Sequence, residues 1–361
     1  MFGSRQNSAV VGLDIEAGSV AAIEVSDDGL LQRTGIAPLP PGVAREGEVL
    51  DAEALGIALK DLFGQYKLSR SVRVGIGNQR VIVRTLRLPR LKSPEEIDAA
   101  VRFQAADKIP MPLDQAVVEW EQVDPSPEAA ELGQMDVVVV AARRETVAGI
   151  TAAVRAAGLK PMGIDVSAFG MIRALQGDIP PPPPINYEDR GEVVAPVVPA
   201  RLLCNLGDVT NLAVARGSTC LFTRISPFGV EGIAQRLSER RGLTLEHSRQ
   251  WLMHVGLDEP VERIEGDPAI VGAARDVLTG GAEKLAGELR LSLDFFGAQE
   301  GAVAVEEIVI SGAGSAIPGM PGALQRELGY QLRVGHPPAL AGMPEADIAR
   351  FTLPYGLALA E

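Results

Sequence analysis

The sequence contains few residues that could cross-link the chain or bind a metal ion. Of its 361 residues, two are cysteines and three are histidines. Two cysteines exclude a disulfide framework, and together with the histidines they form none of the spacings that bind zinc. This composition is typical of a protein that folds in the reducing cytosol, so we expect a cytoplasmic location.

Basic residues are also too few for a nucleic-acid-binding protein. There are 34 lysines and arginines against 47 aspartates and glutamates, which gives a formal net charge of −13. Because contacts with phosphate groups require a basic surface, this balance argues against a nucleic-acid partner. It also disfavours direct binding to an anionic membrane surface.

Long hydrophobic runs are absent as well. The longest strongly apolar stretch, residues 137–142, lies between Asp136 and Arg143 and is far shorter than the ~20 residues that span a bilayer. Near the N-terminus, Asp14 and Glu16 interrupt the apolar residues. We therefore expect neither a transmembrane helix nor a signal peptide.

Proline, in contrast, is concentrated in one place. Residues 180–184 are five consecutive prolines, and Pro196 and Pro199 follow. Because proline fixes φ and has no amide hydrogen, residues 179–200 are predicted to form an extended linker. This linker divides the chain into a first lobe, residues 1–178, and a second lobe, residues 201–361.

The two lobes begin with similar patterns, in which short β-rich runs are separated by turns. The runs are residues 9–15, 20–25 and 30–36 in the first lobe, and 201–206, 210–215 and 219–225 in the second. Each set predicts a three-stranded meander. A shift of 191 residues pairs Asp14 with Asn205, Ser19 with Thr210, and Ile23 with Val214. Such a distant repeat indicates a duplicated domain.

Helices and further strands follow each meander. The sequence Ser93-Pro94-Glu95-Glu96 is a strong helix start, with a capping residue, a proline and acidic residues in the first turn. The predicted helices are 52–66, 94–108, 144–157, 231–240, 245–255, 268–278 and 283–296. The predicted strands are 72–76, 81–88, 117–122, 135–142 and 308–311.

Three polar or glycine-bearing turns follow buried strands, at residues 14–19, 205–210 and 311–315. Two hairpin turns that face each other can bracket a polyphosphate through backbone N–H groups and hydroxyls. A glycine-rich turn between a strand and a helix lets a nucleotide approach the backbone closely. Each turn alone is weak evidence for a nucleotide site, whereas the three turns in this order are more specific evidence for one.

With these turns, the chain resembles the actin-like ATPases and, within that superfamily, the PilM family of type IV pilus assembly. The resemblance runs from about Val10 to the C-terminus. The segments most specific to PilM are Ile109-Pro110-Met111-Pro112 and Ser292-Leu293-Asp294-Phe295-Phe296. The resemblance implies an α/β actin-like fold of two lobes with duplicated RNase-H-like cores. It also implies an inserted α/β subdomain at about 86–158 and a helical insertion at about 240–298.

In such a fold the cleft between the lobes binds ATP with Mg²⁺. The positions that the resemblance assigns to this cleft are Asp14, Ala17, Gly18, Ser19, Asn205, Gly207, Asp208, Thr210, Gly312, Gly314 and Ser315.

Several residues of this chain depart from the family pattern. Glu16 replaces a glycine of the first phosphate loop, Ala21 replaces a lysine, and Asn205 replaces an aspartate. On a helix beside the adenosine, residues 249–252 replace a Glu-Glu-x-Lys stretch. A carboxylate at Glu16 would repel a triphosphate, and loss of an anionic oxygen weakens Mg²⁺ binding. We therefore expect ATP binding to be weakened or lost, with Glu16 projecting where phosphate oxygens would sit.

The resemblance also implies a partner. Proteins of this family bind the short N-terminal tail of the membrane protein PilN in a groove between the core and the inserted subdomain, and so connect indirectly to the motor ATPases. The tail is expected near the strand at 81–89 and the turn at 109–112. The residues that we assign to this contact are Arg84, Leu86, Arg87, Ile109 and Met111. Membrane association would then arise only through partners, and a homo-oligomer is compatible with the resemblance.

Two alternatives remain open at this point. One is a functional actin-like ATPase or small-molecule kinase. The departures from the family pattern at Glu16, Ala21 and Asn205 make this alternative less favoured. The other is an FtsA-like cytoskeletal protein. That family ends in an amphipathic membrane helix, whereas this sequence stops at residue 361, directly after the last expected core segment.

Overall fold

The computed structural model describes residues 9–123, 125–176, 199–299 and 301–359. The predicted linker at 179–200 lies almost wholly outside these ranges, so the division of the chain at that linker remains a prediction. Among the described residues, no helix is both long and apolar enough to cross a bilayer.

The described residues form fifteen strands and ten α-helices. The strands are β1 (Val10–Ile15), β2 (Ser19–Val25), β3 (Leu31–Pro38), β4 (Ala44–Arg45), β5 (Glu48–Val49), β6 (Ser71–Ile76), β7 (Ile82–Pro89), β8 (Ala116–Val123), β9 (Gln134–Arg143), β10 (Lys160–Val166), β11 (Ala200–Leu206), β12 (Thr210–Arg216), β13 (Thr219–Ser226), β14 (Val305–Ser311) and β15 (Gln331–Val334). The helices are α1 (Ala52–Tyr66), α2 (Pro94–Lys108), α3 (Pro127–Glu131), α4 (Arg144–Ala156), α5 (Ser167–Gln176), α6 (Val230–Arg241), α7 (Leu245–Val255), α8 (Pro268–Gly297), α9 (Met320–Leu328) and α10 (Glu345–Ala358).

Two five-stranded sheets with the same strand order form the cores of the two lobes. The order is β3-β2-β1-β6-β10 in the first lobe and β13-β12-β11-β14-β15 in the second. In each sheet the first three strands in sequence are antiparallel, and the last two run parallel to the first. The two sheets are separate, so the predicted pair of duplicated cores is confirmed.

A third sheet, β7-β9-β8, forms the inserted subdomain together with α2. All its strand pairs are antiparallel. Its core includes Leu86, Leu88, Val101 and Val137, each of which is fully buried. The helix that follows β9, α4, packs on α1 of the first lobe. The bounds of about 86 and 158 for this insertion remain predictions.

Helices α6, α7 and α8 cover one face of the second sheet. The sequence analysis predicted two helices, 268–278 and 283–296, on either side of Gly280 and Gly281. This prediction was wrong, because α8 is one helix from Pro268 to Gly297. Gly281 instead allows close packing, since a Cβ there would lie 2.5 Å from Cδ1 of Ile233 on α6.

Side-chain caps fix the starts of three helices at the predicted positions. The Ser93 hydroxyl accepts a hydrogen bond from the Glu96 N–H (3.2 Å) at the start of α2. Asp51 accepts from the Ala54 N–H (2.9 Å) before α1, and Thr244 caps α7 in the same way. Such caps satisfy N–H groups that have no partner within the helix.

Helices α5 and α10 lie between the two sheets. They contribute most of the buried apolar residues in the core between those sheets. They cross so closely that a Cβ on Gly356 of α10 would lie 1.7 Å from the carbonyl oxygen of Gly170 on α5. On its other side, α10 meets β1, and a Cβ on Gly12 would lie 1.9 Å from the Pro354 carbonyl oxygen. Glycine is therefore required at this crossing for steric reasons.

The variant Gly356→Ala is expected to lower the free energy of unfolding by about 1–3 kcal/mol, because the added methyl group must push the two helix backbones apart. The matched control is Gly149→Ala in α4, where a Cβ would meet no atom within 4 Å. That variant should be stabilised by about 0.5–1 kcal/mol. Urea unfolding of both variants measures the difference, and equal effects would contradict the close crossing.

Candidate functional site

The two hairpin turns that join β1 to β2 and β11 to β12 face each other across the cleft between the lobes. The first turn is closed by a hydrogen bond from the Glu16 N–H to the Ser19 carbonyl (2.9 Å), and the second by one from the Gly207 N–H to the Val209 carbonyl (3.1 Å). Four residues separate the paired Ile15 and Val20, whereas three separate Leu206 and Thr210.

The extra residue corrects the repeat that the sequence suggested. By strand pairing, Val20 takes the position of Thr210, so the predicted match of Ser19 with Thr210 was off by one residue. The first turn is therefore one residue longer than the second.

The two turns are hydrogen-bonded to each other reciprocally. The Asp208 N–H in the second turn donates to Oε1 of Glu16 in the first (3.3 Å). The Ala17 N–H in the first turn donates to Oδ2 of Asp208 in the second (3.0 Å). Each turn thus offers a carboxyl group to a backbone N–H of the other.

An arginine from the second lobe also reaches the first turn. The guanidinium of Arg249 on α7 forms two hydrogen bonds with the Glu231 carboxylate on α6 (2.6 and 2.8 Å). The same guanidinium lies against Gly18, where a Cβ would be 2.4 Å from Nη2. A side chain at position 18 would therefore displace Arg249.

The third turn closes the side of the cleft behind Asn205. The Ser311 hydroxyl, at the end of β14, donates to Oδ1 of Asn205 (3.3 Å). Gly312 adopts φ +81°, a left-handed conformation that favours glycine, and its N–H donates to the Ala349 carbonyl of α10 (3.1 Å). The third turn thus connects the end of β14 to β11 and to α10 by hydrogen bonds.

A polar cavity of about 30 Å³ remains in the cleft. Its lining includes Asp14, Glu16, Asn205, Asp208 and Asn211. Among the described residues, Oδ1 of Asn211 is buried without a hydrogen-bond partner. A smaller cavity of about 10 Å³ lies beside it, where Ser19, Gly312 and Arg350 join the lining.

Three half-buried carboxyl groups share this cleft, and their pKa values rise in consequence. Loss of solvent, reinforced by the charge of Asp208, raises the pKa of Asp14 to about 7. Loss of solvent raises the pKa of Asp208 to about 6. The pKa of Glu16 also lies well above its usual range, because of burial and then the charges of Asp14 and Asp208. The cleft therefore favours protonated carboxyl groups.

The structure brings most of the predicted cofactor residues to this cleft. Asp14, Ser19, Asn205, Asp208 and Gly312 line its cavities, and Ala17, Gly18 and Gly207 lie in the contacts between its walls. The remaining three are engaged within the second lobe. Thr210 donates to the Phe228 carbonyl, Ser315 donates to the Gly312 carbonyl, and Gly314 packs on Leu206.

Sequence reasoning missed four residues of the cleft, Ser167, Asn211, Glu231 and Arg350. Asn211 and Ser167 line the larger cavity, and Arg350 lines the smaller one. Arg350 and Ser167 lie on α10 and α5, neither of which was predicted. Asn211 and Glu231 lie in predicted elements but outside the three turn motifs, so no local signal marked them.

The cleft in this arrangement does not fit a nucleoside triphosphate. The N–H groups of Ala17 and Asp208 are already bonded to carboxyl oxygens, and the two cavities that Asp14 and Glu16 line measure only about 30 and 10 Å³. Among the described residues, no group of three or more His, Cys, Asp or Glu is arranged to hold a metal ion. No chemical step through ATP or Mg²⁺ follows from this geometry.

The predicted partner residues lie in the inserted subdomain. Leu86 and Ile109 are 0% and 4% exposed and belong to its core, whereas Arg84 is exposed. Arg87 is paired with Asp136 and donates to the Ser126 hydroxyl (3.0 Å). Met111 is half-buried at the edge of the core.

Comparison with known proteins identifies the family. The sequence model described as "Type IV pilus assembly protein PilM" matches residues 12–344, which is most of the chain. The chain belongs to the PilM family. A solved structure titled "PilM-PilN type IV pilus biogenesis complex" is 28% identical to this PilM-family chain, with a TM-score of 0.76 and 97% of each chain covered.

More distant structures share the fold of this PilM-family chain. The ethanolamine utilization protein EutJ from Carboxydothermus hydrogenoformans is 13% identical, with a TM-score of 0.51, and 97% of this chain and 88% of that chain are covered. MreB5 of Spiroplasma citri bound to ADP is 12% identical, with a TM-score of 0.52, and the match covers 96% of this chain and 94% of the MreB5 chain. The predicted actin-like fold is therefore confirmed.

The raised pKa values predict that stability falls as the cleft carboxyl groups ionise. The unfolded chain releases the Asp14 proton near its ordinary pKa of 3.8, whereas the folded protein keeps it up to about pH 7. The free energy of unfolding therefore decreases as the pH rises through this window. In thermal unfolding, the Tm of the wild type should fall relative to that of Asp14→Asn as the pH rises between about 4 and 7. A Tm difference that is independent of pH would contradict the assignment.

Proposed function

We propose that this chain is a scaffold of type IV pilus assembly that binds the N-terminal tail of a PilN-like inner-membrane protein. The observation that carries the proposal is the similarity to the solved PilM-PilN complex along nearly the whole chain. The inserted subdomain and the core beside it would provide the groove for the tail.

The strand register of the inserted subdomain supports this position. Arg84 on β7 and Trp120 on β8 both pair with Val139 on β9, so these three residues form one row across the sheet. In the next row, Ile82 and Val118 both pair with Ala141. β9 ends two residues later at Arg143, and α4, which packs on α1 of the first lobe, begins at Arg144.

Half-buried apolar side chains extend the subdomain core outward at this end. They are Ile82, Met111, Leu113 and Val118. An extended tail could bury its own apolar residues on them while its backbone pairs with an edge strand. The exposed guanidinium of Arg84 stands on the same face and would attract acidic or carbonyl-rich parts of the tail.

The other assigned residues would act less directly. Leu86 and Ile109 are core residues, so they would shape the groove by supporting the sheet and the turn after α2. Arg87 keeps the buried Asp136 carboxylate paired, and its removal would leave a buried charge uncompensated. Arg84 and Met111 are therefore the better positions to test.

Nucleotide would not be needed for this function. Glu16, Ala21 and Asn205 depart from the residues that the family uses toward ATP and Mg²⁺, and the cleft geometry agrees with weakened or lost binding. The chain would act by holding partners in place. It would associate with the membrane through the tail that it binds and connect indirectly to the motor ATPases.

Removing the N-terminal tail of the PilN-like partner is expected to abolish its co-purification with this chain. With the tail intact, Arg84→Ala should weaken binding of a tail peptide by roughly two- to fivefold, the usual effect of one exposed charge. Fluorescence anisotropy with a labelled tail peptide measures this change.

The matched control is Arg326→Ala, which removes an exposed arginine from the second lobe and should leave peptide affinity unchanged. Circular dichroism checks that both variants are folded. Co-purification that persists after complete removal of the tail would refute the proposed contact.

A further inference from the structure

The reciprocal hydrogen bonds between the two hairpin turns connect the two lobes. We propose that they form a latch in which the carboxyl oxygens of Glu16 and Asp208 take the place of ligand oxygens, so that the lobes close without a bound ligand. This inference concerns the cleft alone and does not rest on the proposed partner.

Donor and acceptor positions support the latch. In each bond the donor is a backbone N–H at a turn, and the acceptor is a carboxyl oxygen from the opposite lobe. Glu16 can accept in either protonation state, because a protonated carboxyl group retains acceptor lone pairs.

Gly207 supplies the space that the latch needs. A Cβ at this position would lie 2.2 Å from Oε1 of Glu16, well inside van der Waals contact. The Glu16 carboxyl group is therefore seated directly on the backbone of the second turn, where only a glycine leaves room for it.

Arg249 provides a second connection between the lobes. Its guanidinium, held by Glu231, covers the backbone of Gly18. The first turn is thus held on two sides, by the Asp208 carboxyl group and by Arg249. Both side chains belong to the second lobe, so opening the cleft would break both contacts.

Like charges oppose this closure. The carboxyl groups around the cleft are those of Asp14, Glu16, Glu48, Asp208 and Glu231, and the facing guanidinium groups are those of Arg249 and Arg350. The latch bonds act against this repulsion. The double variant Glu16→Ala, Asp208→Ala removes the latch bonds together with two of these carboxyl groups, so any opening that it shows reports the lost bonds and not a gain in repulsion.

The test measures the distance between the lobes by electron spin resonance. Spin labels are placed at the exposed positions Gln65 on α1 and Arg241 on α6, in a Cys220→Ser background. Cys204 is fully buried and can stay. The wild-type labels should give one narrow distance distribution that Mg·ATP does not change. The double variant Glu16→Ala, Asp208→Ala should give longer and broader distances.

The matched control is Asp61→Ala, Glu306→Ala, which removes one exposed carboxylate from each lobe and should leave the distances unchanged. If the double variant does not fold, Glu16→Gly replaces it, since glycine is tolerated in turns. In hydrogen exchange, the Ala17 and Asp208 amides of the opened variant should exchange at least about tenfold faster.

Two results would overturn the latch. One is an unchanged distance distribution in the folded variants that lack the Glu16 carboxyl group. The other is a wild-type distribution that narrows or shortens when Mg·ATP is added, because closure would then depend on a ligand. Neither result involves the PilN-like partner, so the proposed tail binding would be unaffected.

Discussion

The contact between the backbone of α10 and the backbones of β1 and α5 is the constraint on which the arrangement of the lobes depends. No side chain can stand between these elements at Gly12 or Gly356. The C-terminal helix is therefore fixed against the first lobe, while Ala349 on the same helix accepts a hydrogen bond from Gly312 in the second (3.1 Å). Through α10, the ends of β1, β11 and β14 meet in one cleft.

In that cleft, two of the residues that distinguish this chain from the family pattern form hydrogen bonds within the chain itself. Glu16 accepts from the second turn, and Asn205 accepts from Ser311. A carboxyl group that repels phosphate is thus also a group that satisfies an N–H donor. The two hairpin turns of this actin-like fold can therefore stay in contact across the cleft, although the cavities between them are small.

Local signals predicted much of the fold. The cap at Ser93 and the turn residues of both meanders gave correct helix and hairpin positions, because a cap or turn depends on a few neighbouring residues. Strands β4, β5, β10 and β15 and helices α3, α5 and α10 were not predicted. Helix α8 was divided, because a glycine that packs against Ile233 has the same local appearance as a glycine that ends a helix.

The site was predicted less completely than the fold. The sequence identified the three turns, and family resemblance gave them an order, but neither could show that Arg249 reaches Gly18 from the other lobe. Likewise, the alternation in β7 could not reveal that Leu86 is in the core while Arg84 is exposed. Contacts between distant segments depend on how the lobes pack, and they leave no periodic pattern in the sequence.

Recognition of the tail of a PilN-like protein without the help of nucleotide is the function that we propose for this PilM-family chain. Isothermal titration of the wild-type chain with a synthetic tail peptide, with and without Mg·ATP, tests it most directly. We expect the same Kd in both conditions, because under this proposal the cleft is closed by its own carboxyl groups and nucleotide has no coupling free energy to transmit. Binding that appears only with Mg·ATP, or no binding in either condition, would contradict it.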